Sequence, residues 1–231
     1  MNIHNLPNDE EIKKFYTLFC VVFTAFHNYA TAKRLFQNKV YSWSLTSYYY
    51  SLMYCGRSIC FMSLNCYPKR HDVLHEFLSG KDINNKKFWK LRAPKGIKES
   101  HNFSELINGL PQINSSNKSR IKELGEYLKE IKKVREFNSY EMFIVAHQIN
   151  HLYLSPELEN GTKKISKIVK KYLIFLTDLL FNYVQRKSDY FKAFLLDRNQ
   201  YYKWAFKYLI ESLETQNFDS RIIGEIEEVH V

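Results

Sequence analysis

The sequence predicts an all-α fold, a helical bundle of about five or six main helices with a long basic insertion. Three observations predict it. Apolar residues recur at steps of three and four along several long stretches, the period of a helix with one buried face. Only 7 Gly and 5 Pro punctuate 231 residues, which suits long helices better than a many-turned β-sandwich. No segment shows the apolar–polar alternation of a half-buried strand. A core of some size is available, because the 17 Tyr and 17 Phe each bury roughly 150–250 Å² when packed.

The elements follow in order. Asn8 or Asp9 can cap a first helix running to about Asn38, with Phe15, Leu18, Phe19, Val22, Phe23 and Phe26 on its inner face. Ser42 or Ser44 can cap a second, about Trp43 to Asn65, stopped by Pro68. Its small residues Ser47, Ser51, Cys55, Gly56 and Ser58 let neighbouring helices approach closely. A short helix, about His71 to Leu78, closes at Gly80. Residues 81–117 turn to Asn, Lys, Gly, Pro and Ser and read as a long connection with one or two short helices. From Ser116 or Asn117, Ile121, Leu124, Leu128, Ile131 and Val134 mark an amphipathic helix that continues or restarts through residues 139–154. Ser155-Pro156-Glu157 starts another helix, Gly161-Thr162 permits a break, and an apolar helix follows over about Lys163 to Lys187. A last helix is expected over residues 188–215, then a loosely held acidic tail, 216–231.

The whole reads as one helical domain, its core formed by residues 8–80 and 116–187 with 81–115 inserted between them. Net charge is +10, a balance that favours anionic partners: RNA, nucleotide or an anionic surface. Low-GC coding, rich in Lys and Asn, is the bland alternative. Cys20, Cys55, Cys60 and Cys66 lack the spacing of a zinc site and read as free thiols of a reducing, cytoplasmic protein. No signal peptide is visible, the apolar run Phe15–Phe26 is too short to span a bilayer, and Arg57 interrupts residues 48–66, so no membrane segment is expected.

Three constellations can carry chemistry. His147 and His151 stand four apart, on one face of a helix, and can serve as acid and base in metal-free RNA cleavage, with Arg135 clamping the phosphate. The same pair could ligate a metal, but no acidic third ligand has a distinctive spacing, and neither metal nor cofactor is expected. The competing view has one imidazole semi-buried and the other on the surface. Lys69, Arg70 and His71 form a basic cluster at a helix N-terminus, an anion site or a solvated turn, with His75 four residues on. Lys86, Lys87, Trp89, Lys90 and Arg92 interleave cations with an aromatic, as single-stranded RNA sites do; alternatively Trp89 anchors the connection to the core. Arg57, on an apolar helix, requires a partner such as Glu141 or a polar crevice.

Two stretches carry a family resemblance. One is Ser44-Leu-Thr-Ser-Tyr-Tyr-Tyr-Ser-Leu-Met-Tyr-Cys-Gly-Arg-Ser-Ile-Cys60, followed by Pro68-Lys-Arg-His-Asp-Val-Leu74; the other is Arg135-Glu-Phe-Asn-Ser-Tyr140. Together they resemble one branch of the HEPN superfamily, small helical bundles of prokaryotic toxin–antitoxin pairs and defence systems. The resemblance covers residues 10–80 and 118–185 and implies a helical bundle, an RNA or nucleotide ligand, a cognate antitoxin or other protein partner, and a homodimer. HEPN ribonucleases share an Arg-x(4–6)-His motif, and the sequence reads as lacking it: Arg135 and His147 are twelve apart, Arg92 and His101 nine apart, and Ala146 stands where an Arg would precede His147. The expected function is therefore an RNA-binding protein that can act as a metal-independent endoribonuclease; the alternatives are a non-catalytic module that binds a nucleotide or a partner protein, or a helical scaffold without a ligand.

Overall fold

The computed structural model describes residues 9–84, 86–91, 100–111, 115–136 and 156–187, and within these it is all-α apart from one short pair of strands. The first helix, α1, spans Asp9–Gln37. Lys39, with φ of +61°, turns the chain into α2, Tyr41–Leu64. The expected serine caps are absent: Val40 occupies the cap position without a side-chain bond. Ser44 is instead buried and donates its hydroxyl to the Ala32 carbonyl of α1 at 2.8 Å, and Ser51 does the same to Ala25 at 2.8 Å. The small-residue stripe thus ties α2 to α1. On another side Cys55 reaches the Tyr172 carbonyl at 3.5 Å, and Gly56 packs under Leu78.

Helix α2 ends on Asn65, whose left-handed backbone (φ +56°) returns its N–H to the Phe61 carbonyl. Pro68 therefore lies past the stop, inside a strand that alternation could not reveal, because three residues are too few to alternate. That strand, β1 (Cys66–Pro68), pairs antiparallel with β2 (Trp89–Leu91), Cys66 opposite Leu91 and Pro68 opposite Trp89. Between them lies α3, His71–Leu78, closed by Gly80 at φ +103° as the sequence anticipated. A single 3-10 turn, Lys86–Phe88, leads into β2. Helix α4, Phe103–Asn108, is capped by the Asn102 side chain, which accepts the Glu105 N–H at 2.8 Å. Helix α5 spans Ser115–Glu136 and α6 spans Pro156–Arg186. No break occurs at Gly161: Thr162 donates its hydroxyl back to the Leu158 carbonyl, a bond within the helix instead of a new cap.

Helix α2 is central, buried along most of its length and packed by α1, α3, α4, α5 and α6. Helices α2 and α6 run parallel, since Tyr41 bonds Glu159, Tyr48 lies beside Ser166 and Cys55 bonds the Tyr172 carbonyl in ascending order. Helix α5 runs antiparallel to α6, with Glu123 against Lys171 and Tyr172 and Arg120 over Phe175. Residues 81–115 are more than a surface insertion, because Ile83, Trp89, Phe103, Leu106, Ile107 and Leu110 join the same core. Among the described residues no helix is long and apolar enough to cross a membrane. The expected helices over residues 139–154 and 188–215 and the tail lie outside the described residues.

Candidate functional site

Three helices meet at a polar corner. Tyr49 and Tyr50 project from the middle of α2, His71 and His75 from successive turns of α3, and Arg135 from the last turn of α5. The Tyr49 hydroxyl lies 3.1 Å from His71 Nδ1 and 3.3 Å from His75 Nε2. A hydroxyl carries one proton, so it donates to one imidazole and can accept only from the other; Tyr49 thereby couples the tautomers of the two rings. Arg135 caps the arrangement: its guanidinium lies 4.9 Å above the Tyr49 ring and donates to the Tyr50 hydroxyl at 3.4 Å. The Tyr50 ring stands edge-on to His71 at 5.9 Å.

The local charge is unbalanced. Arg57, only 9% exposed, lies between the rings of Tyr54 and Tyr67 at 5.2 and 5.3 Å and donates to the Lys69 carbonyl at 2.7 Å. No carboxylate pairs with it among the described residues, and its Nε has no hydrogen-bond partner there; Glu141, the partner expected from sequence, lies outside them. Arg135, with 12% of its side chain exposed, contacts Glu136 at 3.5 Å, while its Nε is also without a partner. Both guanidinium groups act on His71. Burial first, then Arg57, Arg135 and Lys132, hold its pKa below the ordinary value, so the imidazole is neutral at pH 7. His75 is sealed more tightly, and burial with the nearby Lys132 and His71 pushes it down to about 4. Burial raises the Tyr49 pKa, so its hydroxyl stays protonated. A groove of about 310 Å³ borders this corner between α3 and α5, lined by His75, Lys129, Lys132, Lys133, Glu126 and Glu136.

The corner unites two residues that the sequence had placed in separate clusters, Arg135 and His71. Tyr49 and Tyr50 are the members that reading did not assign to a site, while the sequence already sets His75 beside the basic cluster, four residues after His71. His147 and His151 lie outside the described residues, as do Arg92 and the side chains of Lys86 and Lys90. Lys69 and Lys87 are exposed, and Arg70 is locally neutralised by Asp72 while lying 5.6 Å over Phe88. Arg70 and His75 are five apart, so the Arg-x(4)-His interval does occur, contrary to the sequence reading. The two side chains nevertheless diverge, Arg70 to Asp72 and His75 to the buried Tyr49 hydroxyl. Trp89 requires a correction. Its indole is 2% exposed, edge-on to Phe77 at 5.1 Å and to His101 at 4.7 Å, so it anchors the connection to the core and offers no face to a base.

A second constellation has the outline of a nucleophile, base and orienting acid. Cys66 Sγ lies 3.5 Å from His101 Nε2, and His101 Nδ1 lies 3.2 Å from Glu105. The thiol is wholly buried, however, and burial pushes its pKa up to about 12, so no thiolate forms at neutral pH and no substrate reaches it. No group of three or more His, Cys, Asp or Glu suited to a metal occurs among the described residues. No protein-family model, curated protein or solved structure matches the chain.

Proposed function

We propose that this chain is a HEPN-like RNA-binding protein whose backbone-phosphate seat is the corner formed by Arg135, His71 and Tyr50. One observation carries the reading: the charges of two guanidinium groups, Arg57 and Arg135, both bear on the part-buried neutral imidazole of His71, and Arg57 has no carboxylate to balance it among the described residues. A charge so placed is stabilised by an anion that completes its coordination, and a guanidinium matches phosphate geometry. The net charge of +10 favours a polyanion over a small acidic ligand. The residues behind the HEPN resemblance, the tyrosine pair, His71 and Arg135, are those that meet here, which supports the same reading. A toxin or defence setting, a cognate antitoxin or other protein partner and a homodimer belong to this proposal through that resemblance.

The test is fluorescence anisotropy of a labelled single-stranded RNA oligonucleotide titrated with protein at several KCl concentrations. His71→Ala and Arg135→Ala are each expected to weaken binding by about tenfold, the scale of one charge-assisted phosphate contact. Wild-type-like affinity in the double variant would remove this seat, and absence of binding at 50 mM salt would remove the RNA reading (about the low end of the range over which such affinities fall steeply).

A second reading, metal-independent cleavage, is favoured by the fixed orientation of His71. With Nδ1 bonded to Tyr49, its Nε2 is the nitrogen left to exchange a proton with a bound ribose hydroxyl. Cleavage in EDTA that survives His147→Ala with His151→Ala but not His71→Ala assigns the base to this corner; the converse assigns it to the pair expected from sequence.

A further inference from the structure

We propose that the lysine edge of α6 is a second track for the RNA backbone, level with the Arg135–His71 corner. The inference rests on the RNA-binding reading above. Lys163, Lys164, Lys167, Lys170 and Lys171 occupy nine residues that contain no acid, and all five are exposed. Helical spacing sets Lys164, Lys167 and Lys171 in one row, with Lys163 and Lys170 beside it. Two of the five are compensated, Lys163 by Glu159 on its own helix and Lys171 by Glu123 of α5. Lys164, Lys167 and Lys170 have no carboxylate partner among the described residues. They place three like charges within about 9 Å of helix, at a rise of about 1.5 Å per residue. Like charges so close repel, and a chain of phosphates relieves that repulsion while releasing its own counterions.

Position links this edge to the corner. The contacts Tyr41–Glu159 and Cys55–Tyr172 set α6 parallel to α2, with Ser166 beside Tyr48, so Lys164, Lys167 and Lys170 stand at the height of Tyr49 and Tyr50, over which Arg135 lies. Lys171 reaches across to Glu123, so the row runs along the border that α6 shares with α5, the helix that carries Arg135.

The composition of the edge selects the partner. A helix that lies on a membrane surface needs its apolar face for the lipid. The apolar face of α6, with Val169, Tyr172, Leu173 and Leu176, is spent inside the protein core, and Ile174 is its one large apolar side chain on the exposed side among the described residues. Protein interfaces draw on aromatic residues and Arg and are poor in Lys. A row of flexible ammonium groups without aromatics fits the sequence-independent grip on a phosphate backbone.

The test is the variant Lys164→Gln/Lys167→Gln/Lys170→Gln in the full chain, titrated into labelled single-stranded RNA across a KCl series. The slope of log affinity against log salt is expected to flatten by about 2, three contacts at about 0.7 each for single strands, with affinity at low salt falling by roughly tenfold or more. The melting temperature should not change, because the three side chains are exposed. Wild-type RNA binding with an unaltered slope in the triple variant overturns the track and leaves the Arg135–His71 seat standing. No RNA binding by the wild type overturns both. Loss of binding to phosphatidylserine vesicles with RNA affinity intact overturns the track in favour of a membrane surface.

Discussion

Gly125→Val is expected to lower the unfolding free energy by about 3 kcal/mol, the upper end of what overpacking a well-filled interface costs. Gly125 lies in α5 where that helix crosses the end of α3. A Cβ there would sit 2.6 Å from the Ser79 backbone nitrogen and 2.8 Å from the Leu78 carbonyl carbon. Both are main-chain atoms, and the end of α3 is held by the Ser79 N–H bond to His75 and by the left-handed Gly80. The clash therefore moves α5 away from α3 as a body. Gly161→Ala is the control, because nothing lies within 4 Å of its Cβ position. Intrinsic helix propensity then acts alone and stabilises by up to about 1 kcal/mol. Opposite signs from two helical glycines isolate packing from propensity. In melting temperature, about 2–4 °C per kcal/mol for a chain of this size, Gly125→Val should read as a fall of about 6–12 °C. A Gly125→Val protein as stable as wild type would show that the two helices do not touch at this point. The same displacement separates His71 on α3 from Arg135 on α5, so RNA affinity should fall with stability.

The helices were legible because their cores are long and periodic. Val22 and Phe26 in α1 and Ile121, Leu124 and Leu128 in α5 all lie buried where helical spacing placed them. Boundaries were less legible, for reasons that can be named. Ser44 has the chemistry of a cap, but a buried carbonyl on α1 claimed its hydroxyl. Gly161-Thr162 has the chemistry of a break, yet a helix stabilised by packing on α2 tolerates one glycine, whose penalty is only about 1 kcal/mol. The pairing of β1 with β2 depends on residues more than twenty apart, a relation that no local period encodes.

The site was legible in its residue types and illegible in its partnerships. His71 and Arg135 stood out as a histidine in a basic cluster and an arginine ending an amphipathic helix. That they meet is a product of α3 and α5 both lying against α2, which is tertiary information. Tyr49 was hidden among its neighbours, since a buried tyrosine on an apolar stripe ordinarily reads as core; its role follows only from the two imidazoles placed on its hydroxyl. Trp89 shows the opposite error. An aromatic between lysines has the composition of a stacking platform, but β2 turns its side chain inward onto Phe77 and His101.

Acidification is expected to weaken the fold by about 3 kcal/mol between pH 7 and pH 4 through His75 alone, since its folded pKa of about 4 lies well below the model-peptide value of 6.5. The sign follows from proton counts. Below pH 6.5 the unfolded chain protonates this imidazole, whereas the folded chain keeps it neutral beside the Tyr49 hydroxyl, with Lys132 and His71 opposing a charge and Asp72 and Glu76 only partly favouring it. Stability contributed by His75 is thus present above pH 6.5 and lost as pH falls toward 4. His71, also lowered, adds in the same direction. Urea titrations at pH 7, 6, 5 and 4 measure the loss, and His75→Gln, which retains an acceptor for Tyr49, should flatten the curve even if it lowers stability at pH 7. An unaltered pH slope in that variant, or a His75 NMR titration centred near 6.5, would place the ring in water and contradict its burial. RNA binding separates the two imidazoles, because its sign is reversed. Protonation of His71 adds a positive charge beside Arg135 where phosphate is proposed to sit, so affinity should rise on mild acidification while stability falls, and only the first effect should vanish in His71→Ala.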